Sequence, residues 1–226
     1  MKDIQQTSLI DTAVEQINKN KTALIGFLVL VLAAFGGYAT YDAYKNQYEE
    51  KAQSALFEAE KLYAANQGAK AFAQDNKKET SPSVDTTQIE DKLNSVIEEF
   101  PKSTAAKQAS LLSAEILLSK KDTQKAISAL EKGFSNYSGH LADSILALKL
   151  SNLYEQNNQC DKAIPVLETV FKSKTAELKP EILLRQALCE ETLGQVDKAK
   201  QSFQKLATEF SDSSQGQQAQ KYLKVL

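Results

Sequence analysis

An all-α protein is predicted: a single N-terminal transmembrane helix followed by an α-solenoid of about three to four helix pairs. Three observations predict it. Thr22 to Tyr41 runs for twenty residues without a charge, and no other window of the 226-residue sequence approaches it. The composition is rich in Ala, Leu, Lys, Glu and Gln and holds only four prolines, which favours helix throughout. Finally, a Lys-Ala pair recurs at Lys125-Ala126, Lys162-Ala163 and Lys198-Ala199, at spacings of 37 and 36 residues.

At about 1.5 Å per residue, Thr22 to Tyr41 covers roughly 30 Å, the thickness of a bilayer's hydrocarbon core. Lys19 and Lys21 precede the stretch, and Tyr38, Tyr41 and Tyr44 gather at its far end, where amphipathic rings suit a membrane interface. Gly26, Gly36 and Gly37 either offer a small-residue face to another membrane helix or simply face lipid. A cleaved signal peptide competes for the same stretch, since Ala34-Phe35-Gly36 has the small residues a signal peptidase takes. The apolar run continues past that point and its leader is long, which suits an uncleaved anchor better. Basic residues are balanced on the two sides, but Lys19 and Lys21 lie closest to the span. They place the N-terminus in the cytoplasm and the large C-terminal part across the membrane.

Residues 1–21 form a short cytoplasmic segment in which Ile10, Ala13, Val14 and Ile17 recur at helical spacing. It reads as an amphipathic lead-in to the span or as a docking helix. Residues 42–87 read as a stalk helix and a loop. Ala52, Ala55, Leu56, Ala59, Leu62 and Tyr63 make the helical stripe, and Lys77 to Thr87, with Pro82 amid Ser, Thr and Asp, makes the exposed break.

Residues 88–226 carry the repeats. Each Lys-Ala pair follows a polar turn and opens a helix with a large residue four positions later: Leu130, Leu167 and Phe203. Twelve positions upstream of each alanine stands another small residue: Ala114, Ser151 and Ala187. Small residues on both helices let two backbones approach closely, and larger ones fill the groove toward the next pair. The expected pairs are Ser103 to Leu118 with Thr123 to Asn136, Ala142 to Gln156 with Cys160 to Lys172, and Pro180 to Leu193 with Val196 to Phe210. Ser214 to Leu223 is expected to cap the stack. A partial unit, Gln88 to Phe100, precedes them, and its partner is expected to be the stalk. It ends in Phe100-Pro101-Lys102-Ser103, echoed by Tyr137-Ser138-Gly139-His140 and Phe210-Ser211-Asp212-Ser213.

A net charge of −2 with no polybasic run argues against nucleic acid. One histidine and two cysteines do not supply the four converging donors of a zinc or iron site. No phosphate loop or nucleophile elbow is present, so no catalytic residue, cofactor or metal is expected. His140 falls in a turn between repeats and reads as an exposed structural residue. Glu98-Glu99 and Glu190-Glu191 read as solvated helix faces. Cys160 opens one second helix and Cys189 lies late in the next first helix, ends that antiparallel packing brings together. They form a disulfide if the domain lies in an oxidising compartment, or remain two buried thiols.

The repeats resemble tetratricopeptide repeats, in the small-residue positions, the helix-opening alanines and the Leu or Phe that follows, across about residues 88 to 213. The repeat-end proline is replaced by Ser138, Thr175 and Ser211, and Glu190 stands where Tyr154 supplies the expected aromatic. Such a solenoid implies a protein-binding groove on its first helices, with Leu111, Leu112, Glu115, Lys149, Asn152, Arg185 and Leu188 as candidates. Lys149 and Arg185 would receive an acidic or C-terminal carboxylate, or the partly apolar set would hold an extended polypeptide.

The whole layout, an amphipathic lead, one span ending in aromatics, a helix rich in small residues and then the repeats, is similar to the YfgM family of bacterial inner-membrane proteins. That resemblance implies an ancillary subunit of the SecYEG translocon with a periplasmic repeat domain. Its implied partners are the translocon, a membrane-anchored prolyl-isomerase-like chaperone and client polypeptides. The repeat type is shared with the periplasmic coordinator of the Tol-Pal system, which implies the alternative of an envelope or cell-division scaffold.

Overall fold

The computed structural model describes residues 20–76, 86–172 and 178–225, and these contain helices and turns but no strand. The chain divides into two compact units, Met1–Tyr48 and Glu49–Leu226. The expected amphipathic segment around Ile10 to Ile17 lies outside the described residues. So do Lys19, Thr175 and the expected loop up to residue 85.

The first unit is described from Asn20, and helix α1, Lys21–Asn76, begins within it. Within this unit Ile25, Phe27, Leu28, Val29, Leu30, Leu32 and Phe35 all stand exposed, from Leu28 at 58 % to Phe35 at 71 %. None of its most apolar window is buried. The helix is long and apolar enough to cross a membrane. Thr40 turns its hydroxyl back onto the carbonyls of Gly36 and Gly37, at 3.1 and 2.9 Å, so its polarity is met within the helix.

In the second unit, Ala52, Leu56 and Ala59 of α1 are buried against α2, Thr86–Glu99, and α3, Thr104–Ser119. The contacting side chains are Ile89, Leu93 and Val96 from α2 and Ala105, Ala109 and Ile116 from α3. The stretch of α1 from Glu49 onward is therefore the first helix of a pair whose second helix is α2. Glu49 also caps α3, accepting the Thr104 N–H on both carboxylate oxygens at 3.0 and 3.1 Å.

Helix α3 then pairs with α4, Thr123–Phe134. Helices α5, Leu141–Gln156, and α6, Cys160–Phe171, form the next pair. Helices α7, Lys179–Thr192, and α8, Val196–Glu209, form the last, closed by α9, Ser214–Tyr222. The boundaries lie within two residues of those the repeat spacing predicts. The six small residues Ala114, Ser151, Ala187, Ala126, Ala163 and Ala199 are all 0 % exposed, as are Leu130, Leu167 and Phe203. One further close approach needs a glycine: a Cβ on Gly133 of α4 would lie 2.5 Å from Ser110 Oγ and 2.6 Å from Leu146 Cδ1.

The echoed segments at the ends of units build matching caps. Ser103 and Ser213 each hold an extended N-cap position, accept from Ala106 N and Gly216 N at 2.9 Å, and donate to Phe100 O and Phe210 O. At the middle echo the cap is reversed. The Asp143 carboxylate reaches back to His140 N at 2.9 Å and to Ser138 N and Oγ at 3.1 and 2.9 Å. His140 is exposed there, as its turn position predicts.

The same carboxylate carries an ion pair the sequence does not advertise. Lys107 of α3, 3 % exposed, meets Asp143 of α5, 1 % exposed, at 2.7 Å, and also donates to Ser138 at 3.0 Å. Burial alone would push the Asp143 carboxyl up; the Lys107, His140 and Ser138 hydrogen bonds and the Lys107 charge outweigh it and hold the group below its ordinary 3.8.

The turns inside the α3–α4, α5–α6 and α7–α8 pairs end on left-handed residues: Lys121 at φ 64°, Asn158 at φ 56° and Gly194 at φ 71°. After each, an N–H returns five residues, from Asp122 to Leu117, Gln159 to Tyr154 and Gln195 to Glu190. Lys121→Gly should therefore stabilise the domain by about 0.5–1 kcal/mol in urea unfolding, since glycine takes this conformation without steric cost.

Breaking the buried pair with Lys107→Met alone should cost about 3–5 kcal/mol, because it strands a charge, and Lys107→Met with Asp143→Asn, which removes the charge but keeps an acceptor for His140 N and Ser138, should recover part of the loss. A depressed carboxyl contributes stability above its unfolded pKa and loses it as pH falls through the folded value. Urea midpoints compared from pH 5 downward should thus fall more steeply in the native chain than in the double variant.

Candidate protein-binding groove

The first helices of the pairs line one face, and an open depression of about 440 Å³ lies on it between α1, α3 and α5. Its floor is Leu111 and Leu112, half-buried on α3, with Ile145 of α5, which is 48 % exposed. Its polar rim is Glu60 of α1, Gln108 and Glu115 of α3, and Lys149 of α5. The floor residues also serve the core: Leu111 packs on the central cluster and Leu112 on the α1–α2–α3 cluster. Their packing fixes the floor, while the rim is solvated.

Glu115 accepts the Tyr63 hydroxyl from α1 at 3.3 Å, and Tyr63 in turn accepts Gln67 at 2.8 Å. A hydroxyl orients the carboxylate without neutralising it. Four of the seven groove candidates, Leu111, Leu112, Glu115 and Lys149, therefore share one site.

Asn152, Arg185 and Leu188 do not join them in that depression. Asn152 of α5 accepts Gln156 of its own helix at 2.7 Å. Leu188 packs partly buried on the cluster between α7, α8 and α9. Arg185 of α7 is engaged by two carboxylates, Glu155 of α5 at 3.2 Å and Glu181 of its own helix at 2.8 Å. Gln215 of α9 donates to the other Glu181 oxygen at 3.2 Å, so one polar chain ties α5, α7 and α9. Burial pushes the Glu155 carboxyl up, Arg185 pulls it down and Glu181 pushes it up again, with a net rise. One guanidinium thus serves two carboxylates, and its charge is already met within the fold.

Glu190 is a correction to the expected solvated acid pair: it is only 4 % exposed. It stands one repeat after Tyr154, a buried position, where Gln186 and Ser202 donate to its two oxygens at 3.0 and 2.7 Å. Glu60, Gln108 and Ile145 were not among the candidates. Gln108 and Ile145 flank candidates at helical spacing, a signal available in the sequence, whereas Glu60 lies on a helix outside the repeat register. Among the described residues no three His, Cys, Asp or Glu side chains converge as a metal site requires.

The fold defines a helical-repeat protein. Residues 17–225 match the model of the tetratricopeptide repeat-like domain, and the chain belongs to that family. None of the curated proteins matches it. Among solved structures, the chain is similar to a Podosopora anserina protein of nearly identical TPR-like repeats, described as a putative kinesin light chain. A form of that protein with one glutamine changed to methionine is 15 % identical over 73 % of this chain and 84 % of its own, with a TM-score of 0.50. The form without that substitution gives the same identity and coverage, with a TM-score of 0.49. YrrB, a TPR protein with an unusual peptide-binding site, is 14 % identical over 60 % of this chain and 68 % of its own, with a TM-score of 0.43.

Cys160 at the start of α6 and Cys189 near the end of α7 are joined as a disulfide, with Cα atoms 5.1 Å apart and a sequence separation of 29. Both residues are buried. A loop of that length implies a contribution of about 3–4 kcal/mol in the chain-entropy model. Reduction, or Cys160→Ala with Cys189→Ala, should lower the urea midpoint accordingly, with a reductant having no further effect on the double variant.

Proposed function

We propose that the chain is a membrane-anchored protein-binding solenoid that works by binding rather than catalysis. In this reading it is a single-pass protein of a bacterial inner membrane, with its N-terminus in the cytoplasm and its repeat unit in the periplasm. It serves there as a chaperone or adaptor for secreted or envelope polypeptides, beside the SecYEG translocon and a membrane-anchored prolyl-isomerase-like chaperone.

The observation that carries the binding role is the solvated depression on the first helices, in a family whose repeats mediate protein–protein interaction. The apolar, outward-facing first part of α1 supports the anchor. The Cys160–Cys189 pairing supports an oxidising compartment, where disulfides persist.

The test is a membrane-impermeant maleimide applied to intact cells that express the chain with Lys198→Cys, an exposed site, and with Cys160 and Cys189 replaced by alanine. Labelling without lysis is the expected result, together with co-purification of translocon components from detergent extracts. Protection until lysis would place the repeats in the cytoplasm and remove the translocon role. Recovery of peptidoglycan-associated or septal proteins instead would favour the envelope scaffold.

A further inference from the structure

We infer that the depression between α1, α3 and α5 selects extended polypeptide segments in which apolar side chains are flanked by lysine or arginine, not segments ending in acidic residues or a free carboxylate. This rests on the groove being the binding site and adds the sign of charge it recognises.

The argument is one of charge complementarity. The rim holds two carboxylates, Glu60 and Glu115, against one cation, Lys149. Neither carboxylate has an ion pair among the described residues, while the Tyr63 hydroxyl holds Glu115 in place.

Two other cations on the first helices are used inside the fold, and the exposed Lys51 and Lys61 of α1 do not line the depression. Lys107 is buried on Asp143, and Arg185 is shared by Glu155 and Glu181. Lys149 is the cation left on the rim, and a single solvated lysine beside two carboxylates does not attract an anion. The floor takes apolar side chains, because Leu112 is half-buried and Ile145 is 48 % exposed. An aliphatic ligand residue covering these two would bring a neighbouring basic residue to the Glu60–Glu115 rim.

The experiment titrates two labelled peptides into the full chain in neutral detergent, read by fluorescence anisotropy. Both carry the same leucines and isoleucines, one flanked by lysines and the other by glutamates. The lysine peptide should bind about fivefold tighter or more, as expected for one or two solvated ion pairs, and the preference should shrink as salt rises. E60Q with E115Q should abolish the preference, E60K with E115K should reverse it, and K149E should enlarge it.

Equal or tighter binding of the glutamate peptide overturns the inference and leaves the groove reading standing. Absence of binding by either peptide overturns both. A preference unchanged in E60Q/E115Q places the site elsewhere and overturns the assignment to this depression. A change of oligomeric state in the same variant, with no peptide competition, would make a second copy the occupant and overturn the proposal.

Discussion

The constraint on which the repeat unit depends is the distance between helix axes inside each pair. Ala114, Ser151 and Ala187 on the first helices and Ala126, Ala163 and Ala199 on the second have no exposed surface, and at those positions nothing larger separates the backbones. Close approach in turn sends Leu130 and Leu167 toward the next pair and Phe203 toward the closing helix α9, and each is completely buried. Gly133 shows how little slack remains, since even a methyl group there would overlap Ser110 and Leu146 of the flanking first helices. A pair so built cannot bury its outward apolar face alone, so the stack follows from the pair.

The same geometry decides the electrostatics of the face lined by the first helices. First helices of successive pairs lie side by side, and their facing residues are separated by about one repeat in sequence. Lys107 reaches Asp143 and Arg185 reaches Glu155 across that boundary. Each pairing links neighbouring repeats and removes a cation from the surface. The depression, lined by none of these paired groups, carries two carboxylates against Lys149.

Much of the fold was legible because it is periodic. Alanines 37 and 36 residues apart located the second helices, and the same interval recurs in the left-handed turn residues Lys121, Asn158 and Gly194. The matched caps at Ser103 and Ser213 were visible as an echoed tetrapeptide. What was not legible is which charged residues leave the solvent. Lys107, Glu190 and Arg185 each sit in a helix where local sequence does not distinguish a solvated side chain from one whose partner lies on another helix. Glu60 escaped for a different reason: α1 ends at Asn76 and α2 begins at Thr86, a wider separation in sequence than inside the later pairs, so counting from the repeats cannot register α1. Counting from the repeats therefore reached the depression's lining on α3, at Leu111, Leu112 and Glu115, and at Lys149 on α5, but not Glu60 on α1.

The first unit is decided by magnitude. Ile25, Phe27, Leu28, Val29, Leu30, Leu32 and Phe35 all stand more than half exposed on one helix. At about 1.5–3 kcal/mol for each such side chain withdrawn from water, the burial forgone is on the order of 10–20 kcal/mol. That matches or exceeds the whole stability of a typical domain, about 5–15 kcal/mol. Polar residues at a helix surface do not offset a cost of that size, and no described residue of the chain covers the stretch. The stretch is a candidate for an apolar environment, lastingly as an anchor in a bilayer or briefly as a signal sequence that is then removed. The two fates differ in what they do to the binding unit: an anchor confines the groove to ligands arriving at a membrane surface, whereas removal would free it to diffuse.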